Sequence, residues 1–103
     1  MALNSSLIST TGTVIFQAAG DVAITTIIFC NTDLVTSSNI TVYAVGNGGT
    51  TDLSNMILNT LTLPATETFV LDAEKFILGA GDQFVATSTA DQIVAATVSS
   101  VTI

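Results

Sequence analysis

The sequence has almost none of the residues that usually carry chemistry. Its 103 residues include no histidine, no tryptophan, no arginine, one lysine and one cysteine. Catalytic sites of the Ser/His/Asp or Cys/His type need an imidazole, so both are excluded. A protein that binds a phosphate backbone needs several cations to displace counterions, and Lys75 alone cannot do this. We therefore expect no enzymatic activity and no nucleic-acid partner.

Charge is scarce as well. Charged residues make up 9% of the chain and hydrophobic residues 49%, with a formal net charge of −7. Soluble domains typically have about 25% charged residues. A chain of this length forms one domain with a large surface, and so few charges cannot cover it. We therefore expect the apolar remainder of the surface to contact other proteins.

Neither a secretion signal nor a membrane segment is expected. Residues 1–6 have no basic stretch, and no long apolar run follows them. The most apolar window, residues 22–30, has about half of the ~20 residues that a membrane helix needs. With a single cysteine no disulfide can form within the chain, and we expect Cys30 to be a small core residue.

Short runs of alternating apolar and polar residues, rich in Val, Ile and Thr, predict an all-β protein. Turn residues such as Gly46–Gly49 separate the runs. The polar residues 1–12 are predicted to be an N-terminal arm, and residues 13–103 a single domain. That domain is expected to be an antiparallel β-sandwich or small barrel of about eight strands, jelly-roll or immunoglobulin-like. The predicted strands are 13–18, 22–30, 39–45, 56–63, 68–71, 76–78, 83–89 and 93–103.

Alternation also predicts which way the side chains face. In the first of these strands Val14 and Phe16 should share one face, with Ile15 on the other. The strand 22–30 is apolar on both faces, so we expect it to be central and covered on both sides. One predicted face carries Ile24, Ile28 and Cys30, and the other carries Ala23, Ile27 and Phe29. We expect this strand to form a hairpin with strand 39–45 through a long loop. Residues 72–75 are expected to be a polar turn.

Several segments, in their order along the chain, point to a family. These are IIFCNT, TVYAV, NGG, TFVLD, LGAGD and AATVSSV, at residues 27–32, 41–45, 47–49, 68–72, 78–82 and 95–101. Over residues 13–103 the chain resembles small virion structural proteins of tailed bacteriophages, including cyanobacterial and marine phages. The resemblance implies a β-sandwich component of the head or the tail, without catalysis, that assembles in the host cytoplasm.

We expect a capsid decoration or cement protein that bridges neighbouring shell subunits, such as those of a major capsid protein. The alternatives are a tail, neck or baseplate component and a carbohydrate- or host-surface-binding module. We expect Leu3, Leu7, Ile8 and Tyr43 to form interfaces. We expect the chain to be a homo-oligomer with copies arranged around a symmetry axis, as a trimer.

No cofactor or metal is expected. The carboxylates of Asp72, Glu74 and Asp82 have the oxygens that Ca²⁺ prefers, but their spacing does not match an EF-hand loop. Carboxylates in turns are ordinarily solvated or bonded to nearby backbone amides, and we expect the same for these three residues.

Overall fold

β-Branched residues favour extended backbone, and most of the chain adopts it. The computed structural model describes residues 2–71 and 76–103, and this part of the chain forms nine strands and one short 3-10 helix, Leu53–Asn55. All eight predicted strands are confirmed, with ends that differ by at most one residue. The predicted polar turn at residues 72–75 lies outside the described residues. The strands are β1 (Ala2–Leu7), β2 (Thr13–Gln17), β3 (Val22–Asn31), β4 (Ser38–Val45), β5 (Met56–Leu63), β6 (Thr68–Leu71), β7 (Phe76–Leu78), β8 (Gln83–Ser88) and β9 (Val94–Thr102).

The strands form two packed antiparallel sheets, as predicted for a β-sandwich. One sheet has the order β1-β9-β3-β6, with β7 also paired to β3, and the other has the order β2-β8-β4-β5. Since β6 and β7 pair with different halves of β3, they act together as one edge strand. The pairs β1·β9, β2·β8, β3·β6/β7 and β4·β5 are then nested like one long hairpin, with alternate pairs in alternate sheets. This is the jelly-roll order, and not the immunoglobulin-like one.

Residues 2–8 do not belong to an irregular arm, so the predicted arm over residues 1–12 is corrected. Ala2–Leu7 pairs with β9 over six consecutive residues, and the amide of Ile8 donates to the carbonyl of Val94 at 2.9 Å. The side chain of Ile8 is completely buried in the core. β1 is therefore an integral edge strand of the five-stranded sheet.

Two β-bulges change the faces that simple alternation predicts. In β2 the register shifts between Val14 and Phe16, so Ile15 and Phe16 are both buried and Val14 is exposed. In β3 it shifts near Thr25, whose hydroxyl donates to the hydroxyl of Ser99 at 2.9 Å. An extra residue in one strand moves every later side chain to the opposite face. The predicted face assignments for both strands are therefore wrong.

β3 is central in its sheet, as predicted, but it is covered on only one face. Before the bulge Ile24 faces the core, and after it Ile27 and Phe29 do so. Ile28 lies on the opposite, outer face and is 37% exposed. Among the described residues, no layer covers the outer face of this strand.

The expected hairpin of β3 with β4 is also wrong, because the two strands lie in different sheets. The connection crosses from one sheet to the other and is held by the buried side chain of Asn31. Its amide group donates to the carbonyls of Thr36 and Leu63, both at 3.0 Å, and its side-chain oxygen accepts from the amide of Asp33 at 3.0 Å. The buried amide of Asn31 thus makes three hydrogen bonds, which hold the connection between the two sheets in place.

The core fills the space between the sheets. Phe29 and Phe84 are completely buried, and the rings of Phe76 and Phe84 meet edge to face at 5.2 Å. At one end, the buried hydroxyls of Ser38 and Ser88 are hydrogen-bonded to each other. Aromatic and aliphatic side chains from both sheets thus form one continuous core, as expected for a sandwich.

Candidate functional site

The charged side chains are segregated from the strands. Every carboxylate in the described part of the chain lies in a connection, and none lies within a strand. Asp72, Glu74 and Lys75 lie outside the described residues. Both outer sheet faces are therefore free of charge along the nine strands. The carboxylates in the connections are Asp21, Asp33, Asp52, Glu67, Asp82 and Asp91.

The carboxylates that make hydrogen bonds mostly stabilise turns. Backbone amides of Thr36 and Val35 donate to Asp33 and lower its pKa below the ordinary value. The hydroxyl and then the amide of Ser54 lower the pKa of Asp52, which caps the 3-10 helix. These contacts favour the ionised forms because the donors point at the negative charge.

Asp82, one of the three residues considered for calcium, has the same structural role. One of its carboxylate oxygens accepts from the amide of Asn47 and the other from the amide of Gly79, both at 2.9 Å. Asp72 and Glu74 lie outside the described residues. Across residues 2–71 and 76–103, no cluster of three or more His, Cys, Asp or Glu side chains is arranged to hold a metal.

A small cavity of about 120 Å³ lies beside Asp82. Ala44, Val45, Gly46 and Leu78 complete its lining, so it has no aromatic side chain on which a sugar ring could stack. Its size is well below the roughly 300–1,000 Å³ of typical ligand pockets. The cavity therefore gives no support to a small-ligand or glycan site.

The outer face of the five-stranded sheet exposes five large aliphatic side chains. Cross-strand registers place Leu3 and Leu7 of β1, Ile28 of β3, Val70 of β6 and Ile77 of β7 on this face. Their exposed fractions lie between 37% and 70%. Small and hydroxyl-bearing residues of β9, such as Ala95 and Thr97, lie between them. We call this surface the aliphatic face; its five members come from four strands of one sheet.

The outer face of the four-stranded sheet is more polar. A row formed by Val14, Val85, Tyr43 and Met56 crosses all four strands, with one residue from each. Neighbouring positions on the same face carry hydroxyl groups, such as that of Thr41. This row gives the second sheet a narrower apolar stripe.

The structure separates the four residues predicted to form interfaces. Leu3 and Leu7 lie together on the aliphatic face and are 70% and 44% exposed. Tyr43 is half-buried on the other sheet. Ile8 is completely buried in its own core and cannot contact a neighbour, so its assignment to an interface is wrong. The side chain of Ile8 lies on the opposite face because it is one residue beyond Leu7 in an alternating strand.

Cys30 is not a core residue as predicted, but lies half-buried on the aliphatic face, opposite Ala95. The bulge in β3 explains this, since it turns Phe29 inward and the next residue outward. Sequence reasoning also missed Ile28, Val70 and Ile77. The signal that could have found them is the two-sided apolar character of strand 22–30, which marked a face that needs cover.

Comparison with models of protein families, with curated proteins and with solved structures finds no match to the chain. No helix within the described ranges is long and apolar enough to span a bilayer. The fold and its surfaces therefore carry the functional argument.

Proposed function

We propose that this protein is a non-enzymatic structural subunit of a tailed-bacteriophage virion. In this proposal it decorates the capsid, binds neighbouring shell subunits and assembles in the host cytoplasm. The observation that carries the proposal is the aliphatic face, which is uncharged, wide and uncovered in a single chain. A surface of this kind is typical of a protein–protein contact site.

The distribution of charge supports a role as a packed subunit. The strands carry no charge in the described residues, while the carboxylates lie in the connections at the sandwich ends. Copies placed face against a shell would therefore not bring carboxylates into the contact, where desolvation of an unpaired charge is costly. The acidic net charge of −7 also suits the outside of a particle better than contact with packaged DNA.

The jelly-roll order adds support by analogy alone. Jelly-rolls are used in viral capsid domains and also in lectin domains and cupins, so the architecture does not define one function. Between these classes, the small size of the described cavity beside Asp82 and the lack of an aromatic residue in its lining favour the structural role. A tail, neck or baseplate component would use the same surface, so only an experiment that locates the protein on the particle distinguishes this alternative from a head protein.

The test is immunogold electron microscopy of virions grown with a C-terminally tagged copy of the chain. Label on the capsid is the expected result, and label on the tail supports the alternative. Particles that carry no label in either place contradict a virion role. A positive result on a glycan array with unlabelled particles would support the carbohydrate-binding alternative instead.

Two matched variants test the surface itself. Val70 lies on the aliphatic face and Val14 on the other sheet, and both are 48% exposed. We expect Val70→Glu to abolish incorporation because it places a charge in the contact, whereas Val14→Glu should be incorporated normally. Equal incorporation of both variants would show that the aliphatic face is not the contact. Circular dichroism of both variants checks that they fold.

A further inference from the structure

The outer edge of β1 presents unpaired backbone groups. In an antiparallel ladder, successive residues direct their backbone N–H and C=O groups alternately toward and away from the partner strand. The amide of Ile8 donates to the carbonyl of Val94, so Ser6 and Asn4 also point toward β9. The backbone groups of Leu3, Ser5 and Leu7 then point outward, with no strand beyond them.

The other edges are protected in ways that β1 is not. β2 has a bulge between Val14 and Phe16, and β5 has register shifts around Thr60, whose φ is 57°. β6 and β7 are only four and three residues long. β1 keeps a continuous register with β9 over six residues and contains no charge and no proline. Natural proteins usually blunt exposed edges with such devices, so an unprotected edge indicates that a partner strand covers it.

We propose that a second copy of this chain covers this edge, with β1 paired to β1 antiparallel across a two-fold axis at Ser5. The closed assembly is then a dimer and not the trimer expected from the sequence. The two five-stranded sheets then become one continuous sheet. In this register Leu3 lies opposite the partner subunit's Leu7, and the same contact is repeated on the other side of the axis. Both leucines join the aliphatic face, so the faces of the two copies become continuous.

A buried hydroxyl in β1 supports this register independently. The side-chain oxygen of Ser6 is buried and has no hydrogen-bond partner, and it is the only such side-chain atom among the described residues. Buried polar groups are rarely left unsatisfied. With the axis at Ser5, the partner subunit's Asn4 lies directly opposite Ser6. Rotation of the Ser6 side chain about χ1 brings its hydroxyl out of the core to the joined edge, where the amide of the partner subunit's Asn4 can donate to it or accept from it. A shift of two residues in either direction loses the opposition of Leu3 and Leu7, although one of these shifts places the two Ser6 side chains opposite each other. The leucines therefore distinguish this register from its neighbours.

The electrostatics also fit a second copy. Two chains of net charge −7 repel each other, and the repulsion is smallest where they meet on surface that carries no charge. β1 contains no charged residue, and Asp91 accepts from the amide of Thr10 at 3.1 Å, beyond the C-terminal end of β1. Pairing along β1 therefore brings no carboxylates onto the joined edge. This mode is the self-complementary form of strand addition.

Ser5→Pro is the first test. Proline removes the outward N–H of Ser5 and leaves the hydrogen bonds between β1 and β9 intact, whereas Ser5→Ala keeps the N–H and serves as the control. We expect the wild type and Ser5→Ala to sediment at about twice the chain mass of 10.5 kDa, and Ser5→Pro at the chain mass. A monomeric or trimeric wild type would overturn the proposal, as would a dimeric Ser5→Pro.

Cysteine cross-linking tests the register of the β1–β1 pair. It remains informative even when Ser5→Pro does not fold. In a Cys30→Ser background, Ser5→Cys places the new thiol opposite its own copy, while Leu3→Cys places it opposite a leucine. We expect mild oxidation to cross-link the first variant and not the second; the reverse result refutes the register. This inference goes beyond the virion proposal and does not need it, because particle labelling and mass measurement report separately.

Discussion

Burial of Ile8 is the most direct quantitative test of β1 as part of the sandwich. The side chain is 0% exposed, so Ile8→Ala removes three fully buried carbon atoms. At about 0.8 kcal/mol per buried CH₂, plus a term for the cavity, the expected loss is about 3 kcal/mol of unfolding free energy. For a chain of this length that corresponds to a fall of about 15 °C in the melting temperature.

Ile77→Ala is the matched control, since it deletes the same atoms in the same sheet where the side chain is 63% exposed. Its expected loss is about 1 kcal/mol or less. Urea and thermal unfolding, followed by far-UV circular dichroism at one protein concentration, measure both variants. Equal small losses would show that β1 is not docked on β9, and the outermost pair of the jelly-roll would then be wrong.

Two further predictions concern turns. Gly81 has a φ of 88°, and an added Cβ would lie 2.4 Å from the Cγ of Asn47, whereas Gly48 has a φ of 79° and open space. Gly48→Ala should therefore lose about 1 kcal/mol and Gly81→Ala clearly more in urea unfolding, and equal losses would contradict the close contact. The lowered pKa of Asp33 contributes stability above its unfolded pKa, and that contribution is lost as pH falls through the folded value. Asp33→Asn should therefore lose less stability than the wild type between about pH 4 and pH 2, and parallel acid titrations of stability would refute this.

Sequence pattern located the strands well because β-branched alternation and glycine-rich turns are local signals. β1 was not predicted as a strand because Asn4 and Ser6 occupy its inward positions. These positions lie at the sheet edge, where burial is shallower and polar residues are tolerated. Without apolar residues at those positions, the alternation of Leu3 and Leu7 looked like an irregular polar segment.

The face assignments failed where a bulge lies within a strand. Neither the register shift in β2 nor the one at Thr25 in β3 is marked by a glycine or proline. The local sequence therefore contains no signal that predicts either bulge. The pairing of β3 with β4 failed for another reason. A connection of residues 32–37 suits a hairpin and a crossing between sheets equally, and the choice depends on the buried contacts of Asn31.

The candidate site could be predicted only in outline. The shortage of charge correctly indicated uncovered apolar surface, and Leu3 and Leu7 lie on it. The remaining members come from β3, β6 and β7, which meet only through long-range pairing, and Ile28 reaches the outer face only because of the bulge.

The confinement of carboxylates to the connections has a practical consequence for handling the protein. Near its isoelectric point of about 4.1 the sandwich ends lose most of their mutual repulsion, while the described strands of the two sheets contain no carboxylate. Acid therefore promotes aggregation of folded molecules through their ends. Concentrated salt has the same effect because it screens the repulsion between the carboxylates. Neutral buffers of modest ionic strength keep the ends repulsive and are the suitable medium for storage.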